Sequence, residues 1–551
     1  MNLIAFLITY IALFLSILGY GKITSKYILN LPSQNIGMEG ILGIFSISLI
    51  VYLLNFFFKI SLVFNSILHV IGILSFFYCF INHRKITHKN EIYITSFLLF
   101  IFIFFLLSAK PHDDFEYYHF GYINYLNNEI ASFGIGNFNH GFRTHSSIFY
   151  FSSSFYLPVI EHQLAHSGAI FFIIFSNLIL IKKIFFSNDP KKIFIQFLSL
   201  LAFAFINIVF YRMSEHGTDR SAQILIIILI IEILERINFK DNNYSKIYNI
   251  MILFSLIISL KAFYSVYLIL ILPIILLEKN KFNFFIKCVS SRAFVFSITL
   301  IILFYSVNFI NTGCLIYPLN ITCFDTLPWA IPINEVNQMR EWYELWAKAG
   351  ANPNTRVENP GLYITSFNWV ANWIDVYFFN KVLDFLIGTL CIFLTTFVIF
   401  FNKKKKLKLK NIKFLTIFIF IIFLLIEWFI NHPSLRYGGF SLFALLIFIP
   451  GAIYISKFKH HPNNLLKKKF LLISIVIIIF ISRNVDRINN EVINYEYNFI
   501  TYPSYNTNFK NLKINNIIAE LKQKCNENKV SCNNEIIKYK EVYKRSLYYR
   551  K

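Results

Sequence analysis

The chain has 551 residues, of which 56% are hydrophobic and 15% charged, and its formal net charge is +23. Apolar runs recur from one end to the other, which excludes an ordinary soluble globular chain and points to a multi-span membrane protein. Such a cation surplus would suggest nucleic acid in a soluble protein. Here the lysines collect in short connections between apolar runs, so no nucleic-acid partner is expected.

A crossing helix needs about 20 apolar residues. The expected fold is an all-α polytopic membrane protein with about 14 transmembrane helices, near 3–20, 39–58, 62–82, 91–108, 167–186, 193–212, 221–236, 246–260, 263–277, 293–311, 381–401, 413–430, 438–456 and 469–483. Met1 to Tyr20 lacks a basic leader and a small-residue cleavage site, and reads as a retained span. With alternating spans, Arg84-Lys85 with Lys89, Lys182-Lys183, Lys191-Lys192, Lys403 to Lys406 and Lys467 to Lys469 share one side. The basic-loop rule makes that side cytoplasmic. The opposite side receives 109–166, 213–220, 312–380, 431–437 and the tail from about Asn484, with both chain ends outside. Three parts result: N-terminal helices over 1–90, a core with two large outer loops over 91–485, and a small outer segment over 486–551.

Three apolar stretches in the outer loops are too short or too polar to cross. The first is 148–160; the others are Glu335 to Ala349, with Trp342 and Trp346, and Phe367 to Phe378, with Trp369 and Trp373. They are expected to lie on the membrane surface with the tryptophans as anchors. Cys314 and Cys323, and Cys525 and Cys532 in the tail, close short loops on the side that permits disulfides and are expected to pair. Cys79, Cys288 and Cys391 sit in or beside spans as packed thiols. The tail holds an expected helix from Leu512 to Lys524 in a small disulfide-stapled cap. No zinc, haem or iron–sulfur spacing and no phosphate-cradling glycine loop is present, so an ATP-driven mechanism has no support. No internal repeat is visible, which weighs against an inverted-repeat transporter.

The stretch with chemistry in it is Lys110-Pro111-His112-Asp113-Asp114-Phe115-Glu116-Tyr117-Tyr118-His119, just where the fourth span ends. Ionisable groups beside lipid are costly unless they face water, a cavity or a partner, so the cluster is a site candidate. The plain alternative is a solvated acidic loop. The same side of the membrane receives His140, Arg143 and His145, then Arg212, Glu215, His216, Asp219 and Arg220, then Lys261, Asp325, His432 and Arg436. Carboxylates gather in one loop while cations arrive from several. That division suits a neutral acceptor hydroxyl meeting an anionic, membrane-held donor. A carboxylate would take the hydroxyl proton. An arginine fork would match the oxygens of a departing phosphate. In extended backbone Asp113 and Asp114 face opposite ways, so only one of them can be the base.

An acidic pair after a span, in a first large outer loop with amphipathic stretches, resembles the GT-C superfamily of polytopic membrane glycosyltransferases. Three stretches are similar to a bacterial multi-span family of GT-C-like type. They are Asp113-Asp114-Phe-Glu-Tyr-Tyr-His119, His140-Gly-Phe-Arg-Thr-His-Ser-Ser-Ile-Phe-Tyr150, and Thr312-Gly-Cys-Leu-Ile-Tyr-Pro318 with Cys323 and Trp329; Arg436-Tyr437-Gly438 fits as well. The likeness covers roughly 90–456, and four spans precede the acidic loop where the common arrangement has one. It implies a glycosyltransferase of the bacterial inner membrane, active on the periplasmic face. Such an enzyme moves a sugar from a polyprenyl-phosphate-linked donor to a cell-envelope glycan, lipid or protein acceptor. Asp113 or Asp114 would be the base, Arg143 and Arg436 the phosphate contacts, and Glu116, His119, His145 and Arg220 further substrate-binding candidates. No metal ligand set is assigned, although three neighbouring carboxylates are compatible with a divalent ion. The rival readings are a surface-polysaccharide polymerase or ligase, a lipid-linked oligosaccharide flippase or other transporter, and a non-catalytic envelope assembly subunit.

Overall fold

The computed structural model describes residues 3–32, 34–82, 89–109, 114–185, 192–212, 217–239, 244–352, 357–402, 413–459, 461–504, 517–523, 537–542 and 545–550. It is predominantly helical. The N-terminal helices are α1 (Leu3–Ile23), α2 (Ile36–Asn55), α3 (Leu62–Asn82) and α4 (Lys89–Leu106). Two short helices, α5 (Phe120–Asn128) and α6 (Ser147–Ser153), follow in the first large loop. The central group is α7 (Gly168–Phe185), α8 (Ile193–Val209), α9 (Gly217–Asn238) and α10 (Ser245–Leu260). After a 3-10 segment, Ala262–Ile271, come α11 (Leu272–Leu277), α12 (Lys281–Val289) and α13 (Arg292–Thr312). The second large loop carries α14 (Ile333–Lys348), α15 (Pro360–Ile364) and α16 (Val370–Trp373), and the chain closes its bundle with α17 (Leu383–Phe400), α18 (Leu415–Asn431), α19 (Gly439–Ser456) and α20 (Pro462–Tyr495).

Among the described residues, seven helical stretches are long and apolar enough to cross a bilayer: Leu3–Ile28, Ile36–Asn55, Leu62–Asn82, Ala165–Phe185, Arg292–Thr312, Val370–Phe400 and Gly439–Ser456. Five shorter apolar helices accompany them: Asn90–Leu106, Ile193–Val209, Ser245–Leu260, Ala262–Leu277 and Leu415–Asn431. The two remaining expected crossings fall within α9 and α20, both of which carry charged residues. These apolar helices mark a membrane-embedded chain.

Burial separates an inner group from an outer one. From Ile224 to Leu234 of α9 every apolar side chain is closed off, and α7 is buried nearly throughout. Helices α3, α17 and α18 instead turn apolar side chains outward, with Val63, Leu74, Val398 and Ile419 each more than half exposed. A face of that kind belongs against lipid, because apolar surface this extensive is unfavourable in water. Close packing in the N-terminal group rests on small residues: a Cβ on Gly19 would meet the Gly72 carbonyl at 1.8 Å, so α1 and α3 touch backbone to backbone.

The first loop differs from expectation. Residues 147–155 are buried within the protein and do not lie along a surface. The serines permit this by satisfying themselves, Ser153 Oγ donating to Tyr150 O and Ser154 Oγ to Phe151 O. Tyr150 stacks on Tyr52 with centroids 3.7 Å apart. Trp369 and Trp373 are likewise internal, and Trp373 Nε1 donates to Pro433 O at 2.8 Å. Trp342 is 45% exposed, as a surface anchor would be, whereas Trp346 packs on Tyr437.

The chain is also not wholly helical. Strands β1 (Ile537–Val542) and β2 (Arg545–Arg550) form an antiparallel hairpin, with Tyr539 opposite Tyr548. The hairpin joins the first loop: Phe133 N donates to Ser546 O and Tyr548 N to Phe133 O, both at 2.9 Å. Residues 517–523 of the expected tail helix are helical.

Candidate functional site

Four connections that are remote in sequence converge at one end of the bundle. Asp114 stands at the entry to a π-helical turn, Phe115–His119, that follows α4. Asp219 lies in the first turn of α9, where the unpaired N–H groups of a helix start favour a carboxylate. Lys261 caps α10 in extended backbone, φ −162°. Arg436 sits in a 3-10 turn, Leu435–Tyr437, between α18 and α19.

Their side chains form a continuous chain of alternating charge. Arg436 Nη2 donates to Asp114 Oδ2 at 2.9 Å and Arg436 Nε to Asp219 Oδ2 at 2.6 Å. Lys261 Nζ donates to Asp219 Oδ1 at 2.5 Å and also lies 4.5 Å from the centre of the Tyr437 ring. Asp219 is 4% exposed, whereas Asp114 and Arg436 are 27% and 36% exposed and so reach the surface of the cluster. Burial alone would raise the Asp219 carboxyl, but Lys261 and Arg436 on its two oxygens bring it down to about 2. For Lys261 burial outweighs its single carboxylate and lowers the ammonium. Burial pushes up the phenols of Tyr118 and Tyr437 beside them, which keeps both protonated. Formally the four charges cancel, and Asp114 covers the more exposed edge of Arg436.

The arginine is held by its backbone as well. Gln223, one turn beyond Asp219 on α9, donates through Nε2 to Arg436 O at 2.9 Å and accepts at Oε1 from Ser441 N at 3.1 Å. Leu435 N donates to the Tyr377 hydroxyl at 2.9 Å, and Trp428 Nε1 donates to Ser434 O at 2.8 Å. Gly438 closes the turn at φ +104°, in the left-handed region, and a Cβ there would meet the Tyr267 hydroxyl at 2.6 Å.

The other candidates scatter. Asp113, His112, Glu215 and His216 lie outside the described residues, as do Cys525, Cys532 and Lys403 to Lys406. Glu116 is exposed, and Asp325 is exposed in the second loop. His119 is buried against Tyr118 and Phe149. His140 Nδ1 is 3.1 Å from the Tyr117 hydroxyl. His145 packs against Phe304, and burial lowers its imidazole to about 3. His432 is near Phe263 and Tyr437, and burial lowers it to about 4. Arg220 donates through Nη1 to Arg212 O at 3.4 Å.

Arg143 belongs to a second cluster. Buried, it donates through Nε to Gly136 O at 3.0 Å, through Nη1 to the Tyr317 hydroxyl at 3.2 Å and through Nη2 to Glu335 Oε1 at 2.8 Å. Arg550 of β2 takes the other Glu335 oxygen at 2.8 Å. Cys314 and Cys323 are disulfide-bonded beside Tyr317. This arrangement ties the first loop, the second loop and the hairpin together.

Gln223 belongs to no motif in the sequence; its one local signal is a lone glutamine four residues after Asp219 at the head of an Ile/Leu run. Among the described residues no group of three His, Cys, Asp or Glu is placed to hold a metal ion. One family profile, Domain of unknown function (DUF8201), matches residues 3–443. The chain belongs to that family. All four members of the charged chain, and Gln223, fall inside the DUF8201 match, and the C-terminal hairpin lies beyond it. No curated protein and no solved structure matches the chain.

Proposed function

We propose that the protein is a GT-C type membrane glycosyltransferase, with Asp114 as the base that takes the acceptor hydroxyl proton and Arg436 as the contact for the departing phosphate of a polyprenyl-phosphate-linked sugar. The observation that carries this reading is the 2.9 Å pair between Asp114 Oδ2 and Arg436 Nη2. One residue heads the first large loop and the other lies in the last connection before α19, so the two roles are supplied side by side by remote segments. In the resting chain each charge offsets the other. An anionic donor that takes the guanidinium frees the carboxylate to receive a proton, which couples donor binding to activation of the base.

The fuller topology belongs to the same proposal: fourteen crossings, with the Asp114 end on the periplasmic face of a bacterial inner membrane. The Cys314–Cys323 disulfide supports it, since such bonds persist in oxidising compartments. So does the gathering of Lys182, Lys183, Lys192 and Lys246 at the opposite ends of the central helices.

The test is Asp114→Asn in cells whose envelope glycan depends on the intact gene. The glycan change should fall by about 10²–10⁴-fold, the usual worth of a general base, at unchanged amounts of membrane protein. An unaltered glycan removes the catalytic assignment. Loss with Arg436→Lys but not with Asp114→Asn would favour the polymerase or ligase reading, which leans on arginine.

A further inference from the structure

The loop from Cys314 to Cys323 follows the end of α13 directly and is closed by its disulfide. One side of it faces the protein. Cys314 and Tyr317 are buried with Ile331 and with Val336 of α14, and the Tyr317 hydroxyl accepts from Arg143 Nη1 at 3.2 Å. The other side is apolar and uncovered. Leu315, Leu319 and Phe324 are 41–51% exposed, and Ile321 is 85% exposed. No charged residue occurs between Cys314 and Phe324.

We infer that this disulfide-closed loop is a membrane anchor, its apolar side seated among lipid acyl chains at the headgroup boundary where α13 leaves the bilayer. Continuity is the first reason. Val295, Ile302 and Phe309 are spaced by seven residues and so share one face of α13. The first two are more than half exposed, on a helix long and apolar enough to cross a bilayer. Phe324 meets Phe309 edge to face with ring centroids 5.7 Å apart, so the lipid-facing stripe runs on into the loop without a polar break. The second reason is backbone satisfaction, which lipid demands because it offers no hydrogen bonds. Leu315 N donates to Thr322 O at 3.0 Å, Leu319 N to Ile316 O at 2.8 Å, Cys323 N to Asn320 O at 2.9 Å and Phe324 N to Gly313 O at 2.9 Å. The two polar side chains at the tip are also occupied. Thr322 Oγ1 donates to Leu319 O at 2.8 Å, and Asn320 Nδ2 donates to Asn337 Oδ1 at 3.0 Å. The third reason is cost: a cluster of outward aliphatic and aromatic side chains is unfavourable in water and favourable at a lipid boundary. Asp325, exposed directly after Phe324, limits the insertion to a shallow one. The inference is independent of the reaction proposed for Asp114.

The full-length protein carrying Ile321→Trp is reconstituted into phosphatidylcholine vesicles, and its emission is compared with that of the unaltered chain, which has six tryptophans. The added emission should fall by about twofold or more when the phosphatidylcholine is brominated near its headgroup, and should be shielded from aqueous iodide. Quenching by iodide without quenching by brominated lipid places the loop in water and overturns the inference. Quenching by neither means that another protein chain covers the loop, and overturns it equally. Should Ile321→Trp fail to fold, Phe324→Trp keeps an aromatic ring against Phe309 and is read in the same way, with the same outcomes for and against.

Discussion

Arg436 Nε donates to Asp219 Oδ2 at 2.6 Å across a separation of 217 residues, and Gln223, one helical turn further along α9, holds the carbonyl of the same arginine. Helix α9 therefore grips Arg436 by both side chain and backbone. Asp114 meets an arginine whose position is decided by a helix it does not belong to. On the proposed reading, this division of labour makes Asp219 a positioning residue and Asp114 the group that would meet substrate.

Asp219→Asn should therefore cost more stability than Asp114→Asn. It leaves Lys261 and Arg436 without the carboxylate between them. Breaking a fully buried pair costs about 3–5 kcal/mol, and the partial exposure of both cations reduces that to about 2–3 kcal/mol. Thermal unfolding of the purified variants measures the difference; equal midpoints for the two would contradict the assignment.

Acid should release the same interaction. The Asp219 carboxyl is held at about 2 against an ordinary 3.8, so the unfolded chain binds its proton first as pH falls. Its contribution is fully present above about pH 4 and is lost as pH falls through about 2. At 1.36 kcal/mol per pK unit the loss is about 2 kcal/mol. A stability profile from pH 5 to pH 2 should be shallower by that amount in Asp219→Asn.

Gly438→Ala tests the turn that presents Arg436. An alanine at φ +104° is strained and its Cβ would press on the Tyr267 hydroxyl. A destabilisation of about 1–3 kcal/mol is expected. Glycan formation should fall with it even though no charge has changed, and a variant with full activity would show that the turn does not set the arginine.

Arg143 should behave as a strut. Cys314→Ser with Cys323→Ser opens the loop that carries Tyr317, one of its partners, and should cost about 2–3 kcal/mol, the usual worth of a short disulfide loop. Arg143→Lys should lower the unfolding midpoint through the lost bidentate geometry with Glu335 and Tyr317. Any activity of the protein that remains folded should be unchanged. A large fall in turnover at full stability would return Arg143 to the site.

Much of the outline is legible in residue order. Helical crossings follow from apolar runs, because a bilayer demands both length and apolarity from every segment that spans it. The Cys314–Cys323 bond follows from two cysteines in one short loop, and Asp114 and Arg436 stand out as charges at span ends. Other features have no local signature. Residues 148–160 read as a surface helix, whereas 147–155 are buried, since serines that bond to their own helix look the same in sequence as serines facing water. The hairpin has only a weak signal, since Ile537 and Tyr539 alternate with Lys538 and Lys540 at the period of a strand while Leu547, Tyr548 and Tyr549 run together.

Taken alone, the order of residues determined a helical membrane chain with ionisable groups concentrated where spans end. Composition and hydrophobic run length are local properties, and the bilayer acts on them locally. Tertiary structure decided which arginine meets which carboxylate. Arg143 and Arg436 look equivalent in the sequence, yet packing brings Glu335 and Tyr317 to one and Asp114 and Asp219 to the other. A few ångströms set the strength of a charge pair, and only the folded path of α9 brings loops hundreds of residues apart within that reach.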